Sequence, residues 1–333
     1  MNPQSTMLLN REDVRSLLSF DDLVRAMEWV FRRYAGGQTL DTGLLHLEAV
    51  DGDFHIKAGG IRGRHGSPDY FGAKINGSFF NNPATNGMPS IQGCILLADA
   101  ATGYPLALMD SVEITGQRTA ATTAVAALNL ARKDSQVLTV VGAGRQARRH
   151  LEGLAQVLRI ENAFIIARDP GKAKQLAEEV SQSSGVCVKA ANDARSALWA
   201  SDIVVTCTPS REPIIRAGDI QPGTFVACVG ADGPGKNEID PALFERAMVV
   251  VDLLKQCVRV GELQHPLKAG LLKEEQVAEL GDIVAGSRPG RISDNETVIF
   301  DSTGTALQDV AAASLAFEKA IATGRGTSFN LFR

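Results

Sequence analysis

The chain has 333 residues, 44% of them hydrophobic and 22% charged, and carries a net charge of −4. That length exceeds what a single hydrophobic core usually serves, so two domains are expected. Lysine and arginine are scattered, and no apolar run is long enough to span a bilayer, which argues against nucleic acid or membrane as the main partner.

The opening stretch "MNPQSTMLLNREDVRSLLSF" has no basic segment followed by an uninterrupted apolar one, so no signal peptide is expected. Residues 1–35 are predicted helical, with Asn10 or Ser19 as caps and helical spacing of apolar residues in "DDLVRAMEWVFRRYA". From about 40 to 108 the pattern changes to short strands, "GLLHLEAV", "FHIKAGG", "YFGAKING" and "SIQGCILLADAATGYPLALMD", with turn signals at Asp51-Gly52 and Thr102-Gly103. An antiparallel sheet is expected there. Ser111 then opens a helix rich in small residues, "SVEITGQRTAATTAVAALNLA". Strands are predicted at 137–142, 162–167, 185–189, 202–207, 224–229 and 247–252, with helices between most of them, the signature of a doubly wound parallel sheet. The late helix "DVAAASLAFEKAIATG" follows the last strand and is expected to return to the first domain. Five isolated cysteines without a CxxC pair read as reduced core residues of a cytoplasmic protein. The histidines show neither HxH nor HExxH spacing, so no metal site is predicted.

The stretch "VLTVVGAGRQARRHLEGL" runs from a strand through Gly142 and Gly144 into an amphipathic helix, with Ala147 where a third glycine often sits. The first glycine permits the tight turn, the second lets backbone approach a pyrophosphate, and a small third residue keeps the helix near the sheet. A GxGxxA alone is weak, but its place between strand and helix predicts a dinucleotide site. The next strand ends "AFIIARDPGKAK", with Ala167 and Arg168 where an acid would accept a ribose 2′-hydroxyl. The missing acid and adjacent guanidinium favour NADP(H) over NAD(H), unless Asp169 takes the acid's place. In "VVTCTPSREPI", Thr206 and Thr208 fall beyond the fourth strand, where such folds line the cofactor.

Five stretches, "GAKING" (72–77), "ITGQRTAATTAVAA" (114–127), "VGAGRQA" (141–147), "VGADGPGKNEID" (229–240) and "FDSTGTALQD" (300–309), together resemble the ornithine cyclodeaminase/μ-crystallin family. The resemblance implies a substrate-binding and dimerisation domain made of 1–118 and 305–333, with an NAD(P)-binding Rossmann domain, 119–304, inserted between. It also implies a homodimer, and chemistry on an imine at the α-carbon of an amino acid. By the same resemblance, Lys74 is a substrate-binding lysine, Arg118 holds the substrate carboxylate and Asp232 exchanges a proton with the substrate nitrogen. Gly142, Gly144, Arg145, Gln146 and Ala147 form the pyrophosphate turn, and Thr303-Gly304 lie near the nicotinamide. These roles suit the residue types: guanidinium offers a bidentate fork to a carboxylate, and hydride addition to C=N is easier when the nitrogen is protonated.

The chain departs from the family between Asp41 and Asp53, where many members carry a second arginine and this one carries none. His55 stands roughly where the cyclodeaminase has a glutamate, and Lys57 near its methionine. A site flanked by His55, Lys57 and either Arg62 or Arg64 would repel an ammonium and accept an anion. The expected function is therefore NAD(P)H-dependent reduction of a small 2-imino acid, with an anionic one such as iminosuccinate compatible. Two rivals stand beside it: an ornithine cyclodeaminase with bound NAD, and a non-enzymatic binding protein like μ-crystallin.

Overall fold

The computed structural model of the chain describes residues 5–63 and 68–331. Its strands, in chain order, are β1 (Thr6–Leu9), β2 (Gly43–Ala49), β3 (Gly52–Ile61), β4 (Tyr70–Ser78), β5 (Ile91–Asp99), β6 (Pro105–Asp110), β7 (Val137–Val141), β8 (Asn162–Ile166), β9 (Cys187–Ala190), β10 (Ile203–Thr206), β11 (Phe225–Cys228), β12 (Ala247–Val251), β13 (Ala278–Glu279), β14 (Thr297–Asp301) and β15 (Thr327–Phe329). They form two sheets in two units, one of Met1–Arg118 with Thr305–Arg333 and one of Thr119–Gly304.

In the first unit seven strands are ordered β15-β1-β6-β5-β4-β3-β2. All pairs are antiparallel except β1 with β6. The expected strands are present, but Thr6–Leu9 is a strand rather than helix: its edge pairs with β6 on one side and β15 on the other, giving this short apolar run hydrogen bonds a helix could not better. Asn10 and Ser19 both cap helices, at Arg11–Leu17 and Phe20–Ala35, each through a capping box. The first hairpin turns through Val50 and Asp51, one residue earlier than the Asp-Gly signal, because Ala49 pairs with Gly52. The helix Ala306–Thr323 packs on β3, β4 and β5 and on helix Phe20–Ala35. It comes close to the sheet because Gly72 has no side chain: a Cβ there would stand 2.7 Å from Val310.

The sheet's alternation separates two sets of side chains. Tyr70, Lys74 and Asn76 on β4 and His55 and Lys57 on β3 are buried. Their neighbours Phe54, Phe71, Ile75, Leu96 and Leu108, with Leu45 and Leu47 on β2, expose between 39% and 49% of their surface. The register sets Leu47 against Phe54, and Leu96 against Leu108, so these exposed residues form a continuous apolar face.

The second unit is a fully parallel eight-stranded sheet ordered β13-β12-β14-β11-β10-β7-β8-β9. Its central strands read "VLTVV", "IVVT", "FVAC" and "TVIFD", continuous apolar runs that suit strands covered on both faces. The chain order reverses between β7 and β10, the crevice where doubly wound folds bind ligands. Two strands escape prediction from sequence. β14 inserts between β11 and β12 and all five of its residues are buried, but its run is too short to stand out beside the motif that follows. β13 has two residues and no periodicity to read.

Candidate active site

In the first unit, the register sets Lys57 directly opposite Lys74 on adjacent strands. Both are buried, at 5% and 3% exposure, an arrangement that like charges alone would disfavour. Asp309, on the helix Ala306–Thr323, resolves it. Its Oδ2 lies 2.6 Å from Lys74 Nζ, and its Oδ1 accepts from Arg118 Nε at 2.9 Å. Arg118 also donates through NH1 to Gln308 Oε1 at 2.7 Å, and Lys74 Nζ donates to Thr115 Oγ1 at 3.3 Å. Lys74, Arg118 and Lys57 thus share one buried neighbourhood with Asp309, and their charges hold its carboxylate below the usual range against its burial. Burial pushes Lys74 down to about 7, with Arg118 and Lys57 adding to the shift and Asp309 opposing it. Neither Gln308 nor Asp309 stands out in the sequence. The one signal was the pair of polar residues opening an otherwise small and apolar helix, "ALQDVAAASLAF".

His55 is buried and its Nε2 lies 3.1 Å from Asp53 Oδ1. Arg62 is exposed, and Arg64 lies outside the described residues. A hollow of about 720 Å³ opens beside Phe54, Phe79 and Met88, but none of the cationic cluster lines it.

In the second unit the expected cofactor residues lie at or just after the carboxyl ends of strands. After β7, Gly142 adopts φ +129, and a Cβ on it would lie 2.8 Å from Cys207 Sγ. Gly144 is the N-cap of helix Arg145–Val157, offers no side-chain cap, and has nothing within 4 Å of where its Cβ would be. Arg145 and Gln146 open that helix, and Ala147 is fully buried. A pyrophosphate fits this turn on both counts: open space at the second glycine and helix N–H groups with no side chain capping them. After β8, Arg168 is exposed, while Asp169 caps the next helix by accepting from Gly171 N and Lys172 N.

Thr206, the last residue of β10, is wholly buried and its hydroxyl donates to Glu238 Oε2 at 2.7 Å, while Thr208 N, just beyond the strand, donates to Glu238 Oε1 at 2.6 Å. Glu238 Oε2 also accepts from Gly230 N at 3.0 Å. One buried carboxylate therefore ties the loops after β10 and β11. Glu262 fixes the returning strand of the second loop by accepting from Glu238 N and from Asn237 Nδ2. Burial, reinforced by Asp301 and Glu238, pushes Glu262 up to about 9. Asp232 rides on the loop so fixed, ion-paired with Lys236 and 38% exposed at its side chain. After β14, Thr303 Oγ1 and Gly304 O both accept from Gln256 Nε2, and Gly304 N donates to Asp252 Oδ2 at 2.7 Å.

The sequence profile of the ornithine cyclodeaminase/mu-crystallin family matches residues 4–324. Among solved structures, an archaeal alanine dehydrogenase dimer with bound NAD is 36% identical, with a TM-score of 0.92 over 98% of this chain and 100% of its own. The Δ1-pyrroline-2-carboxylate reductase of Thermococcus litoralis, in complex with NADH and L-proline, is 34% identical, with a TM-score of 0.90 over 97% and 99%. The iminosuccinate reductase of Paracoccus denitrificans, in complex with NAD+, is 30% identical, with a TM-score of 0.89 over 98% and 100%.

Removing the carboxylate at the centre of the cationic cluster leaves two buried charges uncompensated. Asp309→Asn is expected to cost about 3–5 kcal/mol in urea unfolding at neutral pH. Because the folded state lowers the pKa of Asp309, that difference should shrink as pH falls below the carboxylate's unfolded value of about 3.9. A second expectation concerns Lys74. If its ammonium helps bind a substrate carboxylate, kcat/KM should decline on the alkaline side of about pH 7. Lys74→Arg should move that limb upward, and a limb unchanged in Lys74→Arg assigns it elsewhere.

Proposed function

Because the chain belongs to the ornithine cyclodeaminase/mu-crystallin family, we propose that it is an NAD(P)H-dependent reductase of a small 2-imino acid. The observation that carries this reading is the buried cluster of positive charge that Lys57, Lys74 and Arg118 make around Asp309. Cations gathered away from water in this way favour an anionic ligand.

In this reading Arg118 Nη and Lys74 Nζ take the α-carboxylate, with Asp309 holding both side chains in place. Lys57 adds charge, and His55 on the same face of the sheet adds an imidazole, to select a second anionic group, as in a dicarboxylic imino acid such as iminosuccinate. Asp232 Oδ passes a proton to the substrate nitrogen, and the Lys236 ammonium steadies the carboxylate between turnovers. Bound NAD(P)H supplies the hydride that reduces the imine carbon. The turn Gly142–Ala147 would hold the pyrophosphate, with Thr208, Thr303 and Gly304 on the neighbouring loops and Thr206 anchoring one of them from beneath. We favour NADP(H) over NAD(H): the exposed Arg168 would suit a 2′-phosphate, and Asp169, the alternative ribose acceptor, is engaged as a helix cap.

The continuous apolar face of the first unit is larger than isolated exposed residues account for. It fits a homodimer formed through the substrate-binding domains. Free thiols at Cys94, Cys187, Cys207, Cys228 and Cys257 fit a reducing, cytoplasmic setting. Among the described residues no helix is long and apolar enough to cross a membrane.

Turnover should be measured with NADH and NADPH against imines formed from pyruvate, glyoxylate, oxaloacetate and cyclic ketimines. The reading expects oxaloacetate-derived imine to be preferred and Asp232→Asn to lower kcat by about two to four orders of magnitude with cofactor affinity retained. Ammonia release from ornithine without net change in nicotinamide absorbance would instead identify a cyclodeaminase. Absence of turnover on every substrate despite tight cofactor binding would identify a binding protein. For assembly, Leu96→Glu together with Ile75→Lys is expected to convert a dimer to monomer in light scattering, and an unchanged mass sinks the assignment of that face.

A further inference from the structure

His46, Asp53 and His55 gather on the first hairpin in a way that neither the cationic cluster nor the cofactor loops require. The strand register places His46 directly opposite His55, with ring centroids 4.4 Å apart and planes inclined by 52°. Asp53 precedes His55 by two residues and so shares its face of the sheet. One ligand atom from each of the three side chains lies within 4.8 Å of the other two. His46 Nδ1 and Asp53 Oδ1 are both shielded from solvent without a hydrogen-bond partner, and the contact of Asp53 Oδ1 to His55 Nε2 is an ion-pair distance only. Shielded polar atoms left unbonded in this way cost free energy that a ligand would recover.

From these observations we propose that His46, Asp53 and His55 bind a divalent transition-metal ion of the zinc class. Two imidazole nitrogens and one carboxylate are a donor set suited to zinc, ferrous iron, cobalt or nickel, and unsuited to calcium or magnesium. Zinc bonds of about 2.0–2.2 Å place ligand atoms roughly 3.4 Å apart, so side-chain rotation closes the present spacing without moving the strands. The hairpin is a rigid platform: a two-residue turn joins the strands, and seven paired positions fix their register. Three protein ligands leave coordination positions for water. Binding needs neutral imidazoles. The inference rests on the hairpin alone and stands whether or not the chain reduces imines.

The test is calorimetric titration of chelator-treated full-length protein with zinc chloride at neutral pH, in a Cys187→Ser background that removes the exposed thiol. One ion per chain is expected. Affinity should fall by about tenfold or more in His46→Gln and in Asp53→Asn. Cobalt should give visible ligand-field absorption in the parent protein and lose it in both variants. Asp53 is half-exposed, so Asp53→Asn keeps the test decisive should His46→Gln fail to fold. Zinc binding that is absent from the parent protein, or undiminished in Asp53→Asn, overturns the site.

Discussion

The helix Ala306–Thr323 brings one carboxylate, Asp309, against the first sheet, where it faces Lys74 and Arg118 at salt-bridge distance with Lys57 nearby. That constraint shapes much of the first unit. Lysines directly opposite each other on adjacent strands would strain the sheet, so Asp309 must reach them, and it reaches them because Gly72 lets the helix settle close. The same pairing gathers positive charge around Asp309 in one buried place. An enzyme that takes an anionic substrate can use that charge directly, since the substrate would join Asp309 among the same cations.

The second unit solves a different problem by the same means. Its ligand-facing loops would wander if held only by strand ends, and a buried glutamate gathers two of them. Glu238 bonds the backbone or hydroxyls of Thr206, Thr208 and Gly230, and Glu262 in turn holds the backbone of Glu238. Carboxyl groups this deeply buried are costly unless hydrogen-bonded, and both oxygens of each accept a hydrogen bond.

Much of this was legible in the chain itself. Glycines at 142 and 144 announced the turn because a positive φ and an open approach admit little else. Capping residues at Asn10 and Ser19 marked helix starts because their side chains satisfy N–H groups that every helix leaves over. What escaped detection depended on contacts distant in sequence. The strand Thr6–Leu9 takes its hydrogen bonds from residues around 107 and 328, and β14 is buried by neighbours on both sides rather than by its own pattern. Gln308 and Asp309 look like ordinary helix-opening residues until the sheet beneath them is known. His46 and His55 show no metal-ligand spacing along the chain, since it is the hairpin that sets them side by side.

The alternation of β3 and β4 has a bearing on how such a protein can change. Charged and imidazole side chains point one way, and the greasy ones between them point the other. Substitutions that retune ligand preference therefore fall on different residues from those that alter the outward surface, and natural variation can explore the two traits independently. A slip of one residue in pairing would exchange the two sets wholesale. Lineages of this fold are thus free to diversify residue by residue, while insertions or deletions within these strands are barred.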